Sequence, residues 1–72
     1  MKAPKNHYLL VWNRHNRLEI LNCSQETSKS DTVLGLMTKD QYWDFETEFI
    51  NSCTSMEAAV SCIELFMSRQ RA

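Results

Sequence analysis

The sequence predicts a small α+β protein with the element order β-β-β-α-α. We expect a three-stranded antiparallel sheet, formed by a hairpin and a short third strand, followed by two α-helices packed on one face. Two runs of aliphatic and aromatic residues surround a polar turn in the N-terminal part, which is typical of a hairpin. The C-terminal part holds two stretches that open with capping signals and contain neither Gly nor Pro. Seventy-two residues leave room for one hydrophobic core.

The hairpin is predicted from residues 7–13 and 17–23, with a polar turn between them. Residues 1–6 are polar and include Pro4, so we expect a flexible N-terminal arm before a single domain of residues 7–72. A two-residue turn sets Val11 opposite Ile20, and a four-residue turn sets Val11 opposite Leu18. Both turns give the same faces. The expected core face carries Leu9, Val11, Leu18 and Ile20, and the expected outer face carries Tyr8, Leu10, Trp12, Arg14, Arg17, Glu19, Leu21 and Cys23.

A polar loop over residues 24–31 precedes the third strand, predicted at residues 32–37, where Gly35 suggests a bulge or a close approach. Thr38 and Gln41 form a capping box that starts a helix to about residue 51. Its predicted core side carries Tyr42, Trp43, Phe45, Phe49, Ile50 and Cys53. Its opposite side carries acidic residues at intervals of four: Asp40, Asp44 and Glu48.

The last helix is predicted at residues 54–69, with a second capping box formed by Thr54 and Glu57. Its polar stripe is narrow and consists of Glu57, Ser61, Glu64 and Ser68. The remaining circumference is apolar. We therefore expect this helix to be the centre of the core, covered by the sheet and by the preceding helix.

Composition places the chain among globular cytoplasmic proteins. The net charge is -1, and 43% of the residues are hydrophobic. Residues 1–30 carry five Lys/Arg and two Glu, and residues 31–72 carry three Lys/Arg and seven Asp/Glu, so net charges of +3 and -4 separate along the chain. Three cysteines without a CxxC pair favour a reducing compartment. Neither a signal peptide nor a membrane span is predicted.

No pattern in the sequence indicates an enzyme, a cofactor or a metal ion. Cys53 and Cys62 fall in apolar helical arcs, where thiols behave as small hydrophobes. The two histidines and three scattered cysteines lack the spacing of a zinc site, and a single glycine excludes a Gly-rich phosphate loop. Carboxylates on a helix exterior lack the burial that shifts catalytic pKa values.

The predicted function is therefore binding of another protein, as a regulator or inhibitor, with a homodimer expected. Short chains without catalytic motifs include phage and plasmid accessory proteins, and we place this chain with them as a hypothesis. Trp, Tyr and Arg dominate interface energetics. The expected partner-binding face is the outer hairpin face, through Tyr8, Leu10, Trp12, Arg14, Arg17 and Leu21, with Asp40, Asp44 and Glu48 steering a basic partner.

Binding of single-stranded nucleic acid is the alternative. The same hairpin face combines the aromatic residues Tyr8 and Trp12 with Arg14 and Arg17, which is the combination that single-strand binders use for stacking and charge. The acidic first helix and a pI of about 6.0 count against this function.

Overall fold

The computed structural model describes residues 1–70, and its fold is the predicted one. A three-stranded antiparallel sheet with the strand order β2-β1-β3 is followed by two helices. The elements are β1 (His7–Trp12), β2 (Leu18–Leu21), β3 (Thr32–Thr38), α1 (Lys39–Phe49), a 3-10 turn (Ile50–Ser52) and α2 (Met56–Gln70). The last two residues of the predicted domain 7–72 lie outside the described residues.

The hairpin turn has three residues, so both predicted turn lengths are wrong. The Asn13 backbone N–H donates to the Arg17 carbonyl at 2.9 Å, and the Asn16 N–H donates to the Asn13 carbonyl at 3.0 Å. Asn16 has a φ of 63°. A turn that ends in a left-handed residue is the usual solution for a three-residue hairpin loop, and Asn tolerates that conformation.

This turn length reverses the predicted faces of the second strand. The register pairs Leu9 with Leu21, and Leu10 with Ile20. Because successive side chains of a strand alternate between faces, a change of one residue moves every β2 side chain to the other side of the sheet. Leu9 and Val11 therefore share a face with Leu21, and the predicted grouping of Leu9 and Val11 with Leu18 and Ile20 is wrong.

The helices cover the face of the sheet that carries Leu10. The core there contains Leu10, Met37, Phe45, Phe49, Ile63 and Phe66, with Leu18, Ile20 and Leu34 packed against it. Phe66 of α2 meets Phe45 of α1 edge to face, with ring centroids 5.7 Å apart. Such aromatic pairs contribute about 0.5–1.5 kcal/mol beyond the burial of their area.

The N-terminal segment covers the opposite face, which we call the outer face. Ala3 is buried in a second cluster with Leu9, Val11 and Leu21. The Thr27 N–H donates to the Met1 carbonyl at 3.0 Å, and this bond joins the segment to the loop between β2 and β3. The sequence predicts a flexible arm for residues 1–6, whereas this segment packs against the sheet in the structure.

β3 contains a bulge and passes close to α2. Gly35 pairs with Leu10 but Val33 pairs with Val11, so Leu34 is an extra residue in the ladder. A Cβ atom at position 35 would lie 3.3 Å from Cγ2 of Ile63. The close approach of β3 and α2 therefore leaves little room for a larger residue at position 35.

The two helices begin at different kinds of cap. The predicted capping box of α1 is present, with the Gln41 N–H donating to Thr38 Oγ1 at 3.1 Å and Gln41 Oε1 accepting from the Thr38 N–H at 2.9 Å. The predicted Thr54–Glu57 box is wrong. Ser55 caps α2, since its Oγ accepts from the Ala58 N–H at 3.1 Å. Over residues 1–70, neither helix has the length and hydropathy to cross a bilayer.

Candidate functional site

The six hairpin residues predicted to bind a partner do not form one continuous surface. Leu10, Trp12 and Leu21 are 0%, 6% and 3% exposed, and they belong to opposite faces of the sheet. Tyr8 is half-buried, and only Arg14 and Arg17 are exposed. Because these six residues are divided between the core, the outer face and the turn, the structure does not bring them together.

A different surface carries exposed aromatic and charged groups. Trp43 of α1, predicted to face the core, is 70% exposed. It borders a groove of about 550 Å³, which we call the Trp43 groove. The groove is lined by Tyr8, Ile20, Lys39, Asp40, Tyr42, Trp43 and Glu46. These residues come from β1, β2 and the first two turns of α1.

The helical period explains why Trp43 points away from the core. Phe45 and Phe49 are four residues apart and form the buried stripe of α1. Trp43 precedes Phe45 by two residues, which is a rotation of about 200° around a helix. The helical spacing from Phe45 therefore indicates an exposed tryptophan, and the prediction that Trp43 faces the core is wrong.

Tyr8 and Tyr42 pack against each other in the lining of the groove. Their rings meet edge to face, with centroids 5.3 Å apart. The Lys39 ammonium lies over the Tyr8 ring, 5.8 Å from its centroid. The groove thus already holds one cation against an aromatic face, which is a favourable arrangement for Lys and Arg groups.

Glu46 also lines the groove and is hydrogen-bonded to Tyr42. The Tyr42 hydroxyl donates to Glu46 Oε2 at 2.9 Å. Burial of the Tyr42 hydroxyl, and secondarily its bond to the Glu46 carboxylate, raise the pKa of Tyr42 above its ordinary value of 10.0. The hydroxyl therefore keeps its proton well above neutral pH, and its hydrogen bond orients the carboxylate.

The surroundings of Trp43 are more acidic than basic. Its neighbours on the helix surface are three and four positions away: Lys39, Asp40, Glu46 and Thr47. Asp44 follows directly and is exposed. Three carboxylates and one ammonium therefore lie near the indole along α1, and the ammonium is engaged with Tyr8.

One of the three residues in the predicted acidic row is engaged in an ion pair. Asp40, Asp44 and Glu48 are all exposed on α1, as the helical spacing indicated. Glu48, however, forms an ion pair with Arg69 of α2. Asp40 and Asp44 remain to act together with the Trp43 groove.

The hairpin turn exposes the cations that the nucleic-acid alternative requires, but the aromatic ring of Trp12 beside it is buried. Arg14, His15 and Arg17 are exposed there. Trp12, by contrast, is buried, so its ring is not available for base stacking. The depression beside the turn also contains three carboxylates, from Glu19, Glu26 and Asp31.

The described residues show no grouping of three or more His, Cys, Asp and Glu side chains that could hold a metal ion. Cys23, Cys53 and Cys62 are free thiols, and only Cys23 is exposed. The Cys53 thiol donates to the Phe49 carbonyl at 3.4 Å, and burial raises its pKa to about 11. A thiol with a raised pKa is a poor nucleophile at neutral pH, so Cys53 is suited to packing.

Comparison with protein-family models, with curated proteins and with solved structures finds no match. The candidate site therefore depends on the geometry of this chain.

Proposed function

We propose that this protein is a small, non-enzymatic interaction module that binds a basic segment of another protein in the Trp43 groove and thereby regulates or inhibits it. The exposure of Trp43 carries the proposal. Tryptophan is enriched at the centres of protein interfaces because its large ring excludes water over a wide contact area. An exposed Trp beside a concave surface is costly in a monomer and useful in a complex.

The charges around the groove select the kind of partner. Asp40, Asp44 and Glu46 favour a Lys- or Arg-bearing segment over an acidic one. A guanidinium group can stack on the Trp43 indole and donate to a carboxylate beside it. Glu46 accepts one bond from Tyr42, and an ionised carboxylate has further lone pairs for a second donor.

The free thiols Cys23, Cys53 and Cys62 are compatible with a cytoplasmic location, which remains part of the proposal.

The acidic residues of α1 are suited to accelerate the encounter with a basic partner, so binding in this groove should weaken as salt is added.

Selection from a random peptide library tests this function without knowledge of the natural partner. Peptides are selected on the wild-type protein and then depleted on the Trp43→Ala variant. We expect the remaining sequences to be enriched in Arg and Lys, and to shift the indole N–H resonance of Trp43 but not that of Trp12. Trp43 is largely exposed, so its truncation should leave the fold intact.

Leu65→Ala is the matched control, because Leu65 is also an exposed apolar residue, on α2. It should retain the selected peptides, whereas Asp40→Asn with Glu46→Gln should lose them. Enrichment of acidic or purely apolar peptides, or binding that is insensitive to Trp43→Ala, contradicts the proposal.

A further inference from the structure

β3 lies at an edge of the sheet and has few of the usual protective features. Within residues 1–70 its only strand neighbour is β1. Natural edge strands are commonly protected by charged residues, by Pro, by a β-bulge or by short length. β3 has seven residues and reads Thr-Val-Leu-Gly-Leu-Met-Thr, without a charge or a Pro. Its bulge at Leu34 leaves residues 35–38 as regular strand.

The ladder between β1 and β3 determines which backbone groups face the free edge. The Lys39 N–H donates to the Asn6 carbonyl at 3.1 Å, and the same register pairs Tyr8 with Met37. In an antiparallel ladder, hydrogen-bonded pairs recur at every second residue. The N–H and C=O of Met37 therefore point toward β1, and those of Leu36 point outward.

α2 lies beside this edge. A depression of about 360 Å³ borders the strand and the helix, and Glu64 is the one charged residue among those lining it: Leu34, Gly35, Leu36, Ile63, Glu64, Met67 and Ser68. Ile63 is 5% exposed and belongs to the core, and Met67 packs against that core, so the face of α2 toward β3 is already covered by the sheet.

We propose that β3 pairs with the same strand of a second copy, antiparallel about a two-fold axis at Leu36, so that the sheet continues across both chains. Leu36 then exchanges two backbone hydrogen bonds with the partner's Leu36. Gly35 lies opposite the partner's Met37, within the regular part of β3.

Self-pairing fits this strand for two reasons. A two-fold axis at Leu36 brings that residue opposite its own copy, and a strand without charges meets no like-charge repulsion there. A charged foreign strand has no counter-charge on β3 to recognise.

The dimer goes beyond the proposed function and is independent of it. The Trp43 groove contains no residue of β3 or α2, so it stays open in the dimer. Each dimer presents two grooves, and a partner with two basic segments gains avidity from them. Leu36 variants test the dimer, and Trp43 variants test the groove.

Sedimentation velocity of three variants tests the proposal. The wild-type protein should sediment as a dimer. Leu36→Lys places two ammonium groups opposite each other and should raise the dimer dissociation constant roughly tenfold or more. Val33→Lys is the matched control: Val33 has nearly the same exposure as Leu36, 42% against 40%, but lies before the bulge. It should remain dimeric.

Mixing Leu36→Lys protein with Leu36→Glu protein distinguishes repulsion from misfolding. The mixture should restore a dimer that contains one copy of each, because the opposite charges now face each other. A wild-type monomer at high concentration overturns the proposal. So does a mixture of folded variants that stays monomeric, or a Val33→Lys variant that dissociates as readily as Leu36→Lys.

Discussion

The indole N–H of Trp12 donates a 2.8 Å hydrogen bond to the side-chain oxygen of Asn16. This bond connects the last residue of β1 to the residue that turns the chain toward β2. Asn16 thus has two roles: its positive φ closes the three-residue turn, and its side chain satisfies a buried indole.

The two roles of Asn16 can be separated by substitution. Asn16→Gly keeps the favourable backbone but removes the acceptor, and should lower the free energy of unfolding by about 1 kcal/mol. Asn16→Ala also incurs the cost of a left-handed backbone, so it should lower the free energy of unfolding by about 2–3 kcal/mol. Urea denaturation measures both. In a Trp12→Phe background the cost of Asn16→Gly should largely disappear, and equal costs for Gly and Ala in the wild-type background contradict this account.

The start of α2 gives a direct comparison of two adjacent hydroxyl residues. Ser55→Ala removes the acceptor of the Ala58 N–H and should lower the free energy of unfolding by about 1 kcal/mol. Thr54→Ala should change it by less than about 0.5 kcal/mol, as for an ordinary surface position. Thermal or urea unfolding of the two variants decides the matter, and the reverse order of effects restores the capping box predicted from sequence.

Substitution of Gly35 by alanine is predicted to destabilise the protein. Gly35→Ala places its Cβ against Cγ2 of the buried Ile63, so overpacking should lower the free energy of unfolding by about 1–3 kcal/mol. Ile63→Leu removes the branch at Cβ, and in that background the alanine should cost less. Denaturant unfolding of the two single variants and the double variant measures this coupling. A stabilising Gly35→Ala in the wild-type background disproves the close approach.

Cys53 should be protected from alkylation. Burial, and then the neighbouring Cys62, raise the pKa of the Cys53 thiol from its ordinary value of 9.0 to about 11. With iodoacetamide at pH 8, the folded protein should be modified at exposed Cys23 first, and at Cys53 about ten- to a hundredfold more slowly. Peptide mapping by mass spectrometry follows each site. Equal rates in the folded protein contradict the burial of Cys53.

The same pKa shift makes stability depend on alkaline pH. The thiol loses its proton more readily in the unfolded chain than in the folded one, so the unfolded state binds fewer protons above about pH 9. The contribution of Cys53 to stability is complete below that pH and is lost as the pH rises toward about 11. Unfolding of Cys53→Ala across this range should show a smaller decline than the wild type. An identical decline shows that Cys53 does not cause it.

The order of the elements could be predicted because its signals are local. The Thr38 capping box and the aliphatic runs of β1 and β2 each act over a few neighbouring residues. The faces of the hairpin could not be predicted as easily, since they depend on one residue of turn length. Asn16 readily adopts a left-handed conformation, but that preference does not by itself select the three-residue turn that uses it.

The candidate site was misplaced for the same reason. Because the faces of β2 are the reverse of those predicted, Leu10 and Leu21 lie in separate buried clusters and do not form the expected exposed apolar patch. The burial of Ala3 had no local signal, because it depends on a contact between the chain start and the distant Leu21. The surplus apolar surface lies instead at Trp43, at β3 and along α2.

Covering on both sides gives β1 a distinctive mutational profile. Leu9, Leu10, Val11 and Trp12 are consecutive and all buried, since the helices cover one face and the N-terminal segment the other. A strand with one solvent-exposed face tolerates polar substitutions at every second position. β1 offers no such alternation, so random mutagenesis should find an unbroken block of intolerant positions at the centre of the sheet.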